Sequence, residues 1–358
     1  MNKHTVIGLM SGSSLDGLDI VCVRFWARDN VLKWDLSAQP ITVRFPENIY
    51  TLLKQVHQLD EEALGQLDFT LGSFYGDAVA EYVAKHNLKV DLVASHGHTV
   101  RHKPEEGFSL QIGDGKTMAA RCKIPCVNQF RSVDIQYGGQ GAPLAPVVEH
   151  YLFGAYQAFI NLGGISNISL HKKEQIIAYD VCPVNQLLNH LANKMGLEYD
   201  DKGTVASQGM VDDDLLAALW DDPYHVLTYP KSLDNNYIRE NFVRKLDESS
   251  VSVQDKLATC TKYIAACLGK EINRLSTQTH IEEILLTGGG AYNEYLLALL
   301  QLEIGDTQLV LPKDEIIQHK ESVLMALCGY LFLNKKANSF AAATGASEDT
   351  INGVLFQA

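Results

Sequence analysis

Basic residues are in short supply. Lys and Arg number 30 against 43 Asp and Glu, a formal net charge of −13. A surface this acidic repels a phosphate backbone and excludes a sequence-independent nucleic-acid binder. It leaves room for one small phosphorylated ligand in a local pocket. No CxxC pair occurs among the seven cysteines, which are scattered from Cys22 to Cys328. That odd count reads as reduced thiols in a cytoplasmic protein. Long apolar runs are also missing: the longest, Val323 to Leu333, is broken by Gly329 and cannot span a bilayer. The opening Met-Asn-Lys-His-Thr lacks the apolar region and small-residue cleavage site of a signal peptide. No Pro-, Gly- or Ser-rich stretch reads as a flexible linker. What is present is ordinary globular composition, 46% hydrophobic and 20% charged, which excludes disorder, collagen-like repeats and coiled coil. At about 150 residues per domain, 358 residues predict two domains.

Strand and helix patterns alternate. Residues 4–9 and 18–25 are apolar and β-branched around a Gly/Ser-rich turn, which predicts a hairpin. Leu64, Leu67, Leu71, Phe74, Ala78 and Tyr82 recur at helical spacing and predict a long helix. Short buried strands follow at Asp91–Ser95 and Pro125–Phe130. The opening pattern then returns roughly 150 residues on, as Ala158 to Leu170 reads strand, Gly163-Gly164-Ile-Ser turn, strand. This weak duplication predicts two similar α/β halves facing each other across a cleft. Further on come a helix over Asp255–Leu275, a strand at Ile284–Thr287, and helices from Ala291 to Leu300 and from Glu321 to Leu333. Gly288-Gly289-Gly290 is the third Gly-rich turn at a strand end.

In Met10-Ser11-Gly12-Ser13-Ser14-Leu15-Asp16-Gly17-Leu18-Asp19, glycines let successive N–H groups converge into an anion nest. Ser hydroxyls add donors, and Asp16 or Asp19 suits a Mg²⁺ held through water. Leu18-Asp19 stands where a P-loop needs Lys-Ser/Thr, so this is no Walker A motif; a plain hairpin turn fits equally well. Three such turns in one acidic chain favour a nucleotide. His96-Gly97-His98, with His102 nearby, fits either a metal-dependent hydrolase or a polar cluster that contacts a sugar. Arg131 leads into Gly138-Gly139-Gln140-Gly141-Ala142-Pro143, where it would grip a carboxylate or lie free on the surface; Pro143 suits the first turn of a helix. Asp180 ends the strand Ile176–Tyr179 just before a helix. It is placed as a general base or, more commonly, as an N-cap. Glu321, opening the last long helix, is a dipole partner or a second active-site carboxylate.

Read in order, MSGSSLDGLD, SHGHTVRH, QIGDG, FRSVDIQYGGQGAPL, INLGGISNIS, YDVCPVN, DDKGTVASQG, YPKS, LLTGGGAYN, KESVLMAL and ATGA resemble the anhydro-N-acetylmuramic acid kinase family, from about residue 5 to about 347. The resemblance implies an α/β fold of two related actin/hexokinase-like (ribonuclease H-like) domains around an ATP cleft, with approximate bounds 1–155 and 156–358. It implies ATP and Mg²⁺ as cofactors and no metal held otherwise. The partners would be an anhydro-amino sugar and ATP, with neither nucleic acid nor membrane, in a protein that forms a homodimer. Gly12, Ser13, Ser14, Asp16, Gly17 and Asp19 would form the first phosphate loop, Gly163 and Gly164 the second, and Gly288, Gly289 and Gly290 the adenosine contact. Asp180 would activate the water that attacks C1 and Glu321 would assist. His96, His98, Arg131, Gln140 and Gly141 would hold the sugar. The reaction implied is opening of the 1,6-anhydro bridge with phosphorylation of O6, in peptidoglycan recycling. A non-catalytic ATP-binding sensor on the same fold is the competing reading, with a hydrolase built on His96, His98 and His102 as a third. Three departures stand out. Asp180-Val181-Cys182-Pro183-Val184-Asn185 lacks two glycines of the family's Asp-Thr-Gly-Pro-Gly-Asn. Asp201-Lys202-Gly203-Thr204 lacks a second Gly, and Asp234-Asn235-Asn236 replaces Gly-Arg-Glu.

Overall fold

The computed structural model describes residues 3–12, 15, 17–29, 31–172, 175–229 and 231–358. Two compact units share the chain: Met1–Gly154 with His319–Ala358, and Ala155–Gln318.

Unit 1 opens with the predicted hairpin, β1 (His4–Met10) against β2 (Leu18–Arg28), extended by β3 (Val31–Leu36) and the short β4 (Ile41–Val43). After helices α1 (Glu47–Lys54) and α2 (Glu61–His86), β5 (Leu92–Ser95) pairs parallel with β1. The outlying ribbon β6 (His98–Lys103) and β7 (Phe108–Ile112) follows, then α3 (Gly115–Cys122), β8 (Cys126–Asn128), α4 (Ser132–Gln136) and α5 (Ala145–Leu152). The sheet runs β3-β2-β1-β5-β8, closed by the C-terminal strand Val354–Phe356. Helix α2 forms because Asp60 caps it through the Ala63 N–H and its apolar stripe buries Leu67, Leu71, Tyr75 and Tyr82. Glycines 72 and 76 let α3 lie on it: a Cβ at either would come within 2.6 Å of α3 or its cap. Pro146, not Pro143, occupies the first turn of α5.

Unit 2 repeats the plan. An antiparallel meander of β9 (Ala158–Leu162), β10 (Ile165–Lys172) and β11 (Gln175–Pro183) comes first. Helices α6 (Asn185–Asn193), α7 (Asp213–Trp220), α8 (Asn235–Ile238), α9 (Arg244–Glu248) and α10 (Val253–Ser276) lead to β12 (Glu283–Thr287). Then come α11 (Glu294–Ile304) and β13 (Gln308–Val310). The sheet order is β11-β10-β9-β12-β13, with β12 parallel to β9. With β4, the β6–β7 ribbon and the C-terminal strand of unit 1 left out of the count, both sheets read 3-2-1-4-5. That shared order is the duplication which the hairpins foreshadowed.

Helix α12 (Asp314–Leu333) kinks at His319, where the unit boundary falls. Residues 319–358, grouped with the second half in the sequence reading, belong to unit 1. Two contacts put them there. Val354–Phe356 pairs with β8, and Gly8 admits α12 where a Cβ would sit 1.9 Å from the Ser322 carbonyl.

Candidate active site

The third glycine turn bounds a cavity of about 810 Å³ in unit 2. That volume is within the range of a drug-sized or nucleotide ligand. Its three glycines differ in why they are glycine. Gly288 has φ +85° and a Cβ there would lie 2.7 Å from the Leu162 carbonyl; at Gly290 it would meet Leu162 at 2.9 Å. Gly289 has only Asn185 Nδ2, at 3.9 Å, so its bare face is open toward the cavity. Leu297, Leu311, Pro312 and Ile317 give the cavity apolar walls, and a Lys202–Glu294 ion pair of 2.8 Å stands at its rim. Asp200 binds the Val205 and Ala206 N–H groups at 2.8 and 2.9 Å, so both its oxygens serve the loop. Lys202 takes the left-handed conformation (φ +57°), whereas Thr204, where the family's second Gly would stand, has φ −62° and tolerates a side chain. Of its walls, Asp200 to Lys202 fall in the DDKGTVASQG block, whereas Leu311 to Gln318 carried no recognisable signal: single apolar residues in loops look alike wherever they fold.

Gly163 and Gly164 close the β9–β10 turn, and neither has a positive φ. Their carbonyls accept the first N–H groups of α6: Gly164 O those of Val184 (2.8 Å) and Gln186 (3.2 Å), Gly163 O that of Asn185 (3.2 Å). The turn and the helix start are thereby tied together. Asp180 is not the cap of that helix. Strand β11 runs on to Pro183, and the N-cap is Val184, without a side-chain bond. Asp180 Oδ2 instead accepts the Leu233 N–H at 2.9 Å, and its backbone carbonyl accepts the Tyr224 hydroxyl at 2.6 Å. No described residue binds Oδ1. Burial raises the Asp180 pKa above the usual carboxylate range, while the Leu233 N–H draws it back. Cys182 and Val184, which replace family glycines, are fully buried and neither has a positive φ, so side chains fit there. Asp234 caps α8 through the Asn236 and Tyr237 N–H groups, and Asn235 accepts a hydrogen bond from Gln186 at 2.7 Å. The lost family charge is thus replaced by local turn chemistry.

In unit 1, Ser13, Ser14 and Asp16 lie outside the described residues. Gly12 starts the β1–β2 turn, its carbonyl accepting the Leu15 N–H at 3.2 Å. Gly17 is glycine for packing, since a Cβ would come 2.4 Å from the Val43 carbonyl of β4. Asp19, opposite Met10 on β2, accepts the Thr42 hydroxyl on Oδ1 at 2.5 Å; His319 Nδ1 lies 3.6 Å from the same oxygen. Glu321 falls just past the kink of α12 rather than at a helix start. It keeps contact with solvent, yet crowding raises its pKa; Lys320 and Arg131 lower it and Asp19 raises it further.

The bend from β5 into β6 aims two buried histidines in different directions. His98 Nδ1 meets the Ser11 hydroxyl at 2.9 Å, joining the first turn to this bend. His96 Nδ1 donates to the Gly97 carbonyl at 3.0 Å, so its Nε2 is free to accept, and Arg131 donates to it from Nε (3.0 Å) and Nη2 (2.8 Å). Burial and the Arg131 charge push the His96 pKa down to about 3, so the ring stays neutral. Arg131 Nη1 donates to the Gly141 carbonyl at 2.6 Å. Gln140 is exposed beside it, its N–H bonded to the Thr344 carbonyl at 2.9 Å. Among the described residues Arg131 makes no ion pair. Its hydrogen bonds all go to neutral acceptors, which leaves further N–H donors uncommitted, while Glu321 and Asp134 act on its charge at longer range. His102 Nδ1 pairs with the Ser109 hydroxyl on an exposed strand. With both His96 nitrogens engaged, these histidines do not make a metal-ligand set.

A duplicated α/β fold with glycine turns at its strand ends and a nucleotide-sized cavity is an arrangement suited to a nucleotide-binding enzyme. Residues 4–358 match the family model described as anhydro-N-acetylmuramic acid kinase. A relative of that description from Pasteurella multocida (strain Pm70) is 33% identical over 365 residues, covering 98% of this chain and 96% of its own. Another, from Shewanella oneidensis, is 33% identical over 383 residues and covers both chains completely. A solved ROK hexokinase from Thermus thermophilus matches more loosely, at a TM-score of 0.41 and 11% identity, over 91% of this chain and 99% of that one. The chain belongs to the anhydro-N-acetylmuramic acid kinase family. No described helix is long and apolar enough to cross a membrane.

Proposed function

We propose that this enzyme converts 1,6-anhydro-N-acetylmuramic acid, water and ATP into N-acetylmuramic acid 6-phosphate and ADP, in the recycling of cell-wall sugars. Water adds at C1 as the C1–O6 bond breaks, and O6 takes the γ-phosphoryl group. The observation that carries this reading is Asp180: a partly buried carboxyl with one oxygen held by a backbone N–H and the other uncommitted. Such a group is positioned to take a proton from water, and its raised pKa makes it a stronger base than an exposed aspartate. Arg131, charged and unpaired, suits the lactyl carboxylate of the sugar through parallel N–H bonds. Glu321 stands near enough to Arg131 and Asp19 to sense both charges, and we assign it the assisting role at the anomeric carbon.

Gly289 and the cavity it bounds would take the adenosine, and the turns at Gly12 and Gly163 the phosphates. Mg²⁺, when bound, screens the charge that develops on the transferred phosphoryl group. The donor set fits it: Mg²⁺ keeps several waters and needs only one or two carboxylates, and Asp19 retains Oδ2 after Thr42 has taken Oδ1. All seven cysteines are free and buried, which supports a reducing, cytoplasmic setting. The test is ADP release over a panel of sugars. Turnover with the anhydro-muramyl sugar and none with an ATP-only control is expected; ADP release indifferent to the sugar overturns the reading.

A further inference from the structure

The glycine loop beside Arg131 is folded around a carboxylate for which the reaction has no use. Asp134, in α4, is fully buried. Its Oδ1 accepts the hydroxyls of Ser339 (2.9 Å) and Thr344 (2.7 Å), and its Oδ2 accepts the Gly141 N–H at 2.7 Å. Its own N–H donates to Asn352 Oδ1 at 3.0 Å, and its carbonyl accepts the Gly139 N–H at 2.9 Å. The loop has no freedom to sit elsewhere. A Cβ at Gly139 would come within 2.2 Å of Asp134 Oδ2, while Gly138 and Gly141 take φ +82° and +66°. One residue, Gly141, therefore gives its N–H to Asp134 and its carbonyl to Arg131.

We propose that Asp134 is a positioning residue for the sugar site, fixing the loop 138–141 in the shape in which the Gly141 carbonyl grips Arg131. This rests on Arg131 binding the sugar carboxylate. The arrangement solves a particular problem. A carboxylate placed directly on Arg131 would hold it well but neutralise it, and an anionic substrate would then meet a spent charge. Set one residue back, the Asp134 charge is satisfied by Gly141, Ser339 and Thr344, and Arg131 is hydrogen-bonded only to the neutral Gly141 carbonyl and His96 ring, with Glu321 and Asp134 acting on its charge at longer range. The hydroxyl partners come from segments 205 and 210 residues away in the chain, which is why no local motif advertises them.

The test is steady-state kinetics on Asp134→Asn, Arg131→Ala and the double variant, varying sugar and ATP separately. The Asn amide keeps one oxygen: its NH₂ then meets either the Gly141 N–H, which cannot accept, or the Ser339 and Thr344 hydroxyls, which must turn from donating to accepting, and in both cases the charge-assisted hold on the loop is lost. Asp134→Asn should raise the KM for sugar at least about tenfold and that for ATP less than about twofold. In the Arg131→Ala background it should add less than about twofold, because a residue acting through another loses its effect when that other is gone. A scaffold role unrelated to Arg131 predicts multiplicative losses and overturns the proposal, as does an unchanged sugar KM in a folded Asp134→Asn. If that variant does not fold, Thr344→Val removes one of the three side-chain bonds and must show the same dependence on Arg131. Arg131→Ala with wild-type sugar KM would instead sink the underlying reading of Arg131.

Discussion

Asp180 makes a demand at two levels at once. As a base it must be ionised, so kcat should fall as pH drops through its raised pKa, at a higher pH than an exposed aspartate would set. As a buried group it opposes folding when ionised. Its folded-state pKa lies above the unfolded value, so its contribution to stability is fully present below the unfolded pKa and is lost as pH rises through the folded one. Asn mimics the protonated form and still accepts the Leu233 N–H. Asp180→Asn should therefore lose at least about 10²-fold in kcat, yet melt no lower than wild type at neutral pH. An active variant removes the base. An inactive variant with a clearly lower melting temperature at that pH shows a structural role instead.

Among the elements, the strand–turn after β12 separates two jobs that adjacent glycines perform. Gly288→Ala forces a side chain into the left-handed region and against the Leu162 carbonyl, and should cost about 1–3 kcal/mol of stability. Gly289→Val meets no protein atom closely; it should leave the melting temperature nearly unchanged while ATP affinity collapses. Calorimetry of both variants with and without ATP distinguishes them, and equal ATP affinity in Gly289→Val would place the nucleotide elsewhere. The hairpins, the long helix 61–86 and the third glycine turn were legible because each is written in a local pattern of period 2, period 3.6 or Gly-rich punctuation. Helix α12 was legible only past Glu321, since its first turns carry just Ile316 and Ile317 among polar residues. Asp180 could not be told from a helix cap because its partner, Leu233, is 53 residues away. The packing at Gly17, Gly288 and Gly290 was not legible for a related reason: a glycine that admits a close neighbour looks, in sequence, like one that admits a ligand.

For the whole molecule, the duplicated strand order shows how one plan supplies both units with glycine turns at equivalent strand ends, while the side chains around them diverge. Unit 1 has Arg131 without an ion-pair partner among the described residues, and unit 2 has Asp180 on the sheet whose strand β12 leads to the glycine turn at the nucleotide-sized cavity. The central claim is that a single turnover joins hydrolysis of the anhydro bridge to phosphorylation of the oxygen it frees. It is tested most directly by running the wild-type enzyme with ATP and anhydro-N-acetylmuramic acid in ¹⁸O-water and reading the product by mass spectrometry. The label should appear at C1 of the sugar, with the transferred phosphate unlabelled. Label in the phosphate, or an unlabelled C1 hydroxyl immediately after turnover, would contradict the account.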